Sequence, residues 1–227
     1  KTVQYLWAQL EKNDDIYLSK YSGWYSVSDE AFYAEEEISE KENNKIATSS
    51  GSLVEWIEEE SYFFRLSKWQ DSLLEYYENN PDFISPKSRK NEVISFVKSG
   101  LKDLSISRKA FSWGIKVPNN PEHVIYVWLD ALTNYISALN YPNTDDDLFK
   151  NFWPASVHLI GKDILRFHAV YWPAFLMAAK ITLPNKVYGH GWILSGDEKM
   201  SKSKGNIVDP LDIIETYGLD PLRYYLI

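Results

Sequence analysis

The stretch VHLIGKDILRFHAVYW, residues 157–172, constrains the fold more than any other part of the chain. A short apolar run suits a strand, a glycine breaks it, and apolar residues then recur at helical spacing. KVYGHGWIL, residues 186–194, offers another strand with a glycine-bracketed turn. HVIYVWLDALTNYISAL, residues 123–139, begins as a near-continuous apolar run, reads as a buried parallel strand, and turns into a helix. Strands alternating with helices predict an α/β fold built on a Rossmann-like parallel sheet.

The rest of the chain is organised around that pattern. Residues 1–23 open with a helix, Val3, Leu6, Trp7 and Leu10 forming its stripe, and continue into a short strand and turn at IYLSKYSG. Residues 24–66 change character. From Asp29 to Glu60 stand 11 acidic residues against two lysines, within an apolar–polar alternation that suits short strands. This segment reads as a small β-rich inserted subdomain whose acidity is a solvated face. Residues 67–208 return to the α/β pattern, with Trp69, Leu73, Leu74 and Tyr77 striping one helix and Gly100 stopping the next. Pro173 kinks or restarts the helix that follows Gly161. Residues 209–227 begin a helical region, with Asp209 as N-cap, Pro210 at the first helical position and Gly218 as its close. The first helix lacks a preceding cap and DPLRYYLI stops inside an apolar helix start, so both ends read as cut from a longer polypeptide.

Composition narrows the chemistry. There is no cysteine, which excludes disulfides and thiolate metal sites. The four histidines, His123, His158, His168 and His190, have no close metal-binding spacing. No apolar run approaches the roughly 18–20 residues of a membrane span, so the expected protein is cytoplasmic and makes no membrane contact. Nine Trp, 16 Tyr and 10 Phe are enough to line a pocket as well as a core.

In an open α/β sheet, ligands bind beyond the carboxyl ends of the strands. Three expected strand ends carry polar groups: YVWLDA, HLIGKD and VYGHGW. At HLIGKD, Gly161 permits close approach, and Asp163 is either a first-turn charge or a ribose acceptor. Ile164 and His168 share a helical face, where the histidine reads as a partly buried, satisfied side chain. Trp128, Ala131, Leu132 and Tyr135 also fall on one face, a pattern commoner in cores than in pockets. GDEKMSKSKGNIVDP, residues 196–210, is different. Its polarity keeps it out of the core. Lys199, Lys202 and Lys204, with Ser201 and Ser203, crowd between Gly196 and Gly205 in a chain of net charge −8. Such a loop can close over a phosphate chain and neutralise charge developing in a transition state.

KMSKS at Lys199–Ser203 resembles the signature loop of class I aminoacyl-tRNA synthetases. With YVWLDALTNY, HLIGKDILRFHAVYWPAFL, GHGWIL, DLSISR, WGIKVP, ESYFFRLSKW and IYLSKYSGWYSVSDE, the whole chain resembles the methionyl-tRNA synthetase family. The resemblance implies a methionine pocket walled by Trp128, Ala131, Leu132, Tyr135, Ile164 and His168, in place of the plain core faces that spacing suggests. It implies ATP contacts at Gly161, Asp163, His190, Gly191, Lys199, Ser201 and Lys202, with Lys199 and Lys202 catalytic, and places Arg108 and Trp113 near the site. Methionine, ATP with Mg, and tRNA(Met) are the implied ligands, and the implied reaction is methionyl-adenylate formation followed by transfer to tRNA.

Two departures stand out. Where relatives carry a Cys-x-x-Cys zinc knuckle, this chain has Ser26 and Asp29, which cannot rebuild a thiolate site. A zinc-free insert held by Trp24, Tyr25, Phe32 and Tyr33 is therefore expected. The family's His-Ile-Gly-His-type motif and its anticodon-binding domain are absent from these residues, so the isolated chain is expected to be inactive. The alternatives are a non-catalytic synthetase-like binding module or another class I synthetase. Leucine, isoleucine and valine enzymes need a larger insert, and a cysteine enzyme needs thiolate-bound zinc.

Overall fold

The computed structural model describes the chain except at residues 29, 30, 34, 42, 43, 49, 110, 111, 193, 201–204 and 227; at 21, 31, 32, 36, 57, 59 and 199 it describes the backbone only. The opening elements are α1 (Thr2–Lys12), β1 (Ile16–Ser26), β2 (Ala31–Tyr33), β3 (Ile38–Lys41), β4 (Asn44–Ala47) and β5 (Glu55–Phe64). Next come α2 (Gln70–Asn79), β6 (Ile84–Ser85), α3 (Lys87–Lys98), β7 (Leu104–Ser105), β8 (Ser107–Arg108), β9 (Lys116–Val117) and β10 (Asn120–Ile125). The remainder is α4 (Val127–Ser137), α5 (Asp147–Phe152), β11 (His158–Gly161), α6 (Trp172–Ala178), β12 (Val187–His190), β13 (Leu194–Ser195), β14 (Glu198–Lys199), α7 (Pro210–Tyr217) and α8 (Leu219–Leu226). Among the described residues no helix is long and apolar enough to cross a membrane.

The α/β architecture contains a parallel sheet of order β11-β12-β6. Helices α3, α4 and α6 supply Val93, Val97, Leu129, Leu132, Ile136 and Phe175 to the core that this sheet shares. His158 and Ile160 of β11 turn inward, whereas Leu159 is 68% exposed. The period-2 alternation of a strand separates them.

The HVIYV run does not join this sheet. β10 pairs antiparallel with β8 and β9, which corrects the expected parallel strand. Its Val124 and Ile125 are buried, as the apolar run requires; burial alone does not fix strand direction.

The segment 24–66 is rich in strands, as expected, but the strand before it is long. β1 runs 11 residues through the expected turn at Gly23 and pairs with β5 from Ile16↔Phe64 to Tyr25↔Glu55. Trp24 and Trp56 meet edge to face at 5.3 Å, and the Lys45 ammonium sits 4.0 Å from the Trp24 ring.

The base of this ribbon is tied to the α/β core at Asp15. Helix α1 buries Val3, Leu6, Trp7 and Leu10 and ends with Asp14 at φ 56. That left-handed turn sends the Asp15 N–H back to the Leu10 carbonyl at 2.9 Å. Asp15 is 1% exposed; its Oδ1 accepts from Lys68 Nζ at 2.7 Å and from the Trp69 indole at 3.1 Å. At the far end, Asp209 caps α7 as expected, accepting from the Leu211 N–H at 2.8 Å, and Gly218 follows the helix at φ 92.

Candidate functional site

Two groups of side chains meet around β11. The first is held by α4 and the turns after β11. Tyr135 comes from α4, and its hydroxyl lies 2.8 Å from His168 Nε2. His168 Nδ1 lies 2.9 Å from the Ile164 carbonyl oxygen. A carbonyl oxygen can only accept, so Nδ1 carries the proton. Nε2 is then the acceptor and the Tyr135 hydroxyl the donor. Burial lowers the His168 pKa, with the Ile164 carbonyl partly opposing, and so keeps this neutral tautomer. His168 lies in a π-helical turn, Phe167–Tyr171, just before α6. Such wide turns recur at functional sites because they re-aim side chains out of the regular helical spacing. Pro173 stands at the start of the regular helix that follows, as expected.

Trp128 stacks on Phe167 with centroids 3.7 Å apart and planes 13° from parallel, and it meets His168 edge-on at 6.3 Å. Leu132 is 1% exposed, beneath the same face of α4. The structure therefore brings Trp128, Tyr135, His168 and the Ile164 carbonyl together, with Leu132 in the core that they border. Ala131, one turn from Trp128 and Tyr135, lines a separate groove of about 350 Å³ with Thr2, Val3 and Thr133.

The second group lies at the carboxyl ends of β11 and β12. The pairing Gly161↔His190 places these two side by side. Gly161 has an ordinary backbone (φ −69, ψ 148), but a β-carbon there would stand 2.6 Å from Asp163 Oδ1 and 3.9 Å from His190 Cε1. A side chain here would therefore have to push the exposed Asp163 carboxylate aside, although the backbone angles themselves would accept one. His190 Nδ1 donates to the Gly191 carbonyl at 2.7 Å, which leaves Nε2 for a ligand. His190, Gly191, Trp192, Tyr188 and Leu159 line an open cleft of about 1140 Å³. The Lys162 ammonium lies 4.8 Å from the Trp192 ring at this end of the sheet. A glycine-bordered, polar strand end thus lies beside a packed aromatic cluster.

Lys199 ends β14, its backbone paired with Leu194. The expected contacts at Ser201 and Lys202 lie outside the described residues. Arg108 is 9% exposed, donates to Ser105 Oγ at 2.9 Å and the Ser107 carbonyl at 2.8 Å, and packs over the Tyr126 ring at 4.5 Å. Tyr126 precedes α4, so Arg108 braces the start of the slot helix. Trp113 is 89% exposed. Among the described residues no group of three or more His, Cys, Asp or Glu is placed to hold a metal ion.

Sequence reasoning missed Phe167, Lys162 and His158. His158 had a usable signal: period-2 alternation puts it on the same buried face as Ile160.

Known proteins share this sequence and this fold. The family described as tRNA synthetases class I (M) matches residues 39–227. The methionine--tRNA ligase of Brucella melitensis is 59% identical over all of this chain and 44% of its own length. That of Rickettsia prowazekii is 61% identical, again over 44% of its length. A solved structure of Mycobacterium tuberculosis methionyl-tRNA synthetase in complex with methionyl-adenylate superposes with a TM-score of 0.89 at 54% identity, over 99% of this chain and 44% of that one. The chain thus spans less than half the length of these relatives.

Proposed function

Since the chain belongs to the class I tRNA synthetases of the methionyl type, we propose that it carries part of the machinery that activates methionine with ATP and transfers it to tRNA(Met). The observation that carries this reading is the Tyr135–His168–Ile164 hydrogen-bonded chain, set beside Trp128 and behind the strand end that bears Gly161, Asp163 and His190. The apolar slot takes the thioether side chain, and sulfur–aromatic contact with Trp128 favours it. Gly161, Asp163, His190 and Gly191 take the nucleoside end of ATP.

A methionine carboxylate oxygen attacks the α-phosphorus, the bond from that phosphorus to the bridging oxygen breaks, and pyrophosphate leaves with the electron pair. No protein nucleophile is needed; catalysis is alignment plus charge neutralisation. Lys199 and Lys202 supply the neutralisation, with Ser201 donating to phosphate oxygens. Mg would accompany the ATP phosphates and add to the neutralisation of their charge. A cytoplasmic setting belongs to the same proposal.

ATP–pyrophosphate exchange in the full-length protein tests this. Exchange should depend on methionine, and Lys202→Ala should lower kcat by about a hundredfold. Exchange driven by a different amino acid, or undiminished by Lys202→Ala, would refute the assignment.

A further inference from the structure

A polar cluster lies inside the joint between the ribbon and the α/β core. Ser61 of β5, Ser107 of β8 and His123 of β10 are 4%, 0% and 0% exposed. His123 Nδ1 lies 3.0 Å from Ser107 Oγ, and the Tyr62 N–H donates to the same oxygen at 2.9 Å. His123 Nε2 faces the Glu60 carboxylate at 3.5 Å and has no hydrogen-bond partner among the described residues. A lone pair aimed at a carboxylate would be repelled, so Nε2 carries the proton. Nδ1 is then the acceptor and the Ser107 hydroxyl its donor.

From Ser107 the cluster continues to Arg108. The guanidinium donates to the Ser107 carbonyl at 2.8 Å and to Ser105 Oγ at 2.9 Å. Ser105 Oγ lies 2.7 Å from Ser61 Oγ, which is itself 3.1 Å from the Ser107 carbonyl oxygen. Arg108 packs over Tyr126, the residue before α4. Three consecutive residues of β5, from Glu60 to Tyr62, thus reach His123, Ser105 and Ser107. Apolar side chains would fill this space with less desolvation. What a connected polar cluster adds is one fixed geometry.

We propose that His123 is a positioning residue for the reaction. Through Ser107 it sets Arg108 against Tyr126, and so fixes the head of α4 relative to the strand that carries the insert. It touches no substrate, and its role rests on the site proposed above. The two halves of the imidazole do different work. Asparagine places an amide oxygen near the Nδ1 position and nothing at Nε2. Glutamine reaches the Nε2 position and leaves Ser107 without its acceptor. The arm that leads to Arg108 is the Nδ1 arm, so asparagine should replace the histidine and glutamine should not. A packing role predicts the opposite order, because asparagine leaves the larger void.

The test measures ATP–pyrophosphate exchange and thermal midpoints in the full-length protein as wild type, His123→Asn, His123→Gln and Ser107→Ala. His123→Gln and Ser107→Ala should each raise the methionine KM about tenfold, with the ATP KM within about twofold of wild type. His123→Asn should keep the methionine KM within about twofold while lowering the thermal midpoint more than His123→Gln does. Ser107→Ala removes only the hydroxyl, and so carries the test if a His123 variant does not fold. Methionine-dependent exchange with a wild-type methionine KM in Ser107→Ala, or a higher KM in His123→Asn than in His123→Gln, overturns the role of His123 and leaves the site standing. Wild-type exchange that does not depend on methionine removes the site, and the role of His123 with it.

Discussion

Gly161 and Asp163 stand so close that a β-carbon on the glycine would lie 2.6 Å from the aspartate Oδ1. The Gly161 backbone itself tolerates alanine, with φ at −69. Asp163 is exposed and can swing aside. Gly161→Ala should therefore cost little stability but displace the carboxylate proposed to meet the ribose. The expected result is an ATP KM raised by at least about tenfold with a thermal midpoint near wild type. Steady-state exchange kinetics and calorimetry check the two halves separately.

Acid should weaken the fold through the paired histidines. Burial, with the charge of His168 adding to it, lowers His158 from 6.5 to about 4, and burial also lowers His168. Above about pH 6.5 both states of the chain hold these rings neutral, so they add no pH dependence. As pH falls below that, the unfolded chain binds protons that the folded chain refuses, and stability declines. For His158 the decline runs to about pH 4, at up to about 1.4 kcal/mol per pH unit. Thermal midpoints across this range should drop with acid, and His158→Phe should flatten the slope.

Asp15 gives a structural prediction away from the site. Asp15→Ala removes the acceptor for both Lys68 and the Trp69 indole, and should destabilise by about 2 kcal/mol. Lys68→Ala should cost less. The lysine side chain is 50% exposed, so water enters at the vacated position and solvates the carboxylate. Urea unfolding of the two variants should rank them in that order.

Much of this was legible in the sequence because periodicity reports burial. The stripe of α1 and the Asp209 cap follow from side-chain spacing or from the needs of a helix end; for α4, spacing pointed to a core face, and its reading as a slot came from the family resemblance. Direction and contact were less legible. An apolar run such as HVIYV says that a strand is buried but not which neighbour it pairs with, and β10 proved antiparallel. Gly23 looked like a turn because glycine is permissive, yet its partner Ile57 on β5 holds it in a continuous ladder. The Tyr135–His168 bond joins residues 33 apart in the chain, through a π-helical turn that no local spacing rule anticipates. His158 escaped notice because a lone histidine in an apolar run looks like ordinary core.

Strand β11 has four residues, with the imidazole at one end and the glycine at the other. At about 3.3 Å per residue, the two are held about 10 Å apart by backbone that cannot stretch. Adding or deleting one residue would turn the imidazole outward and shift the glycine past its neighbour in the same stroke. The buried ring beside Tyr135 and the glycine beside His190 are thus mechanically yoked, and variation at one end must proceed by exchanging side chains, never by changing the length of the link.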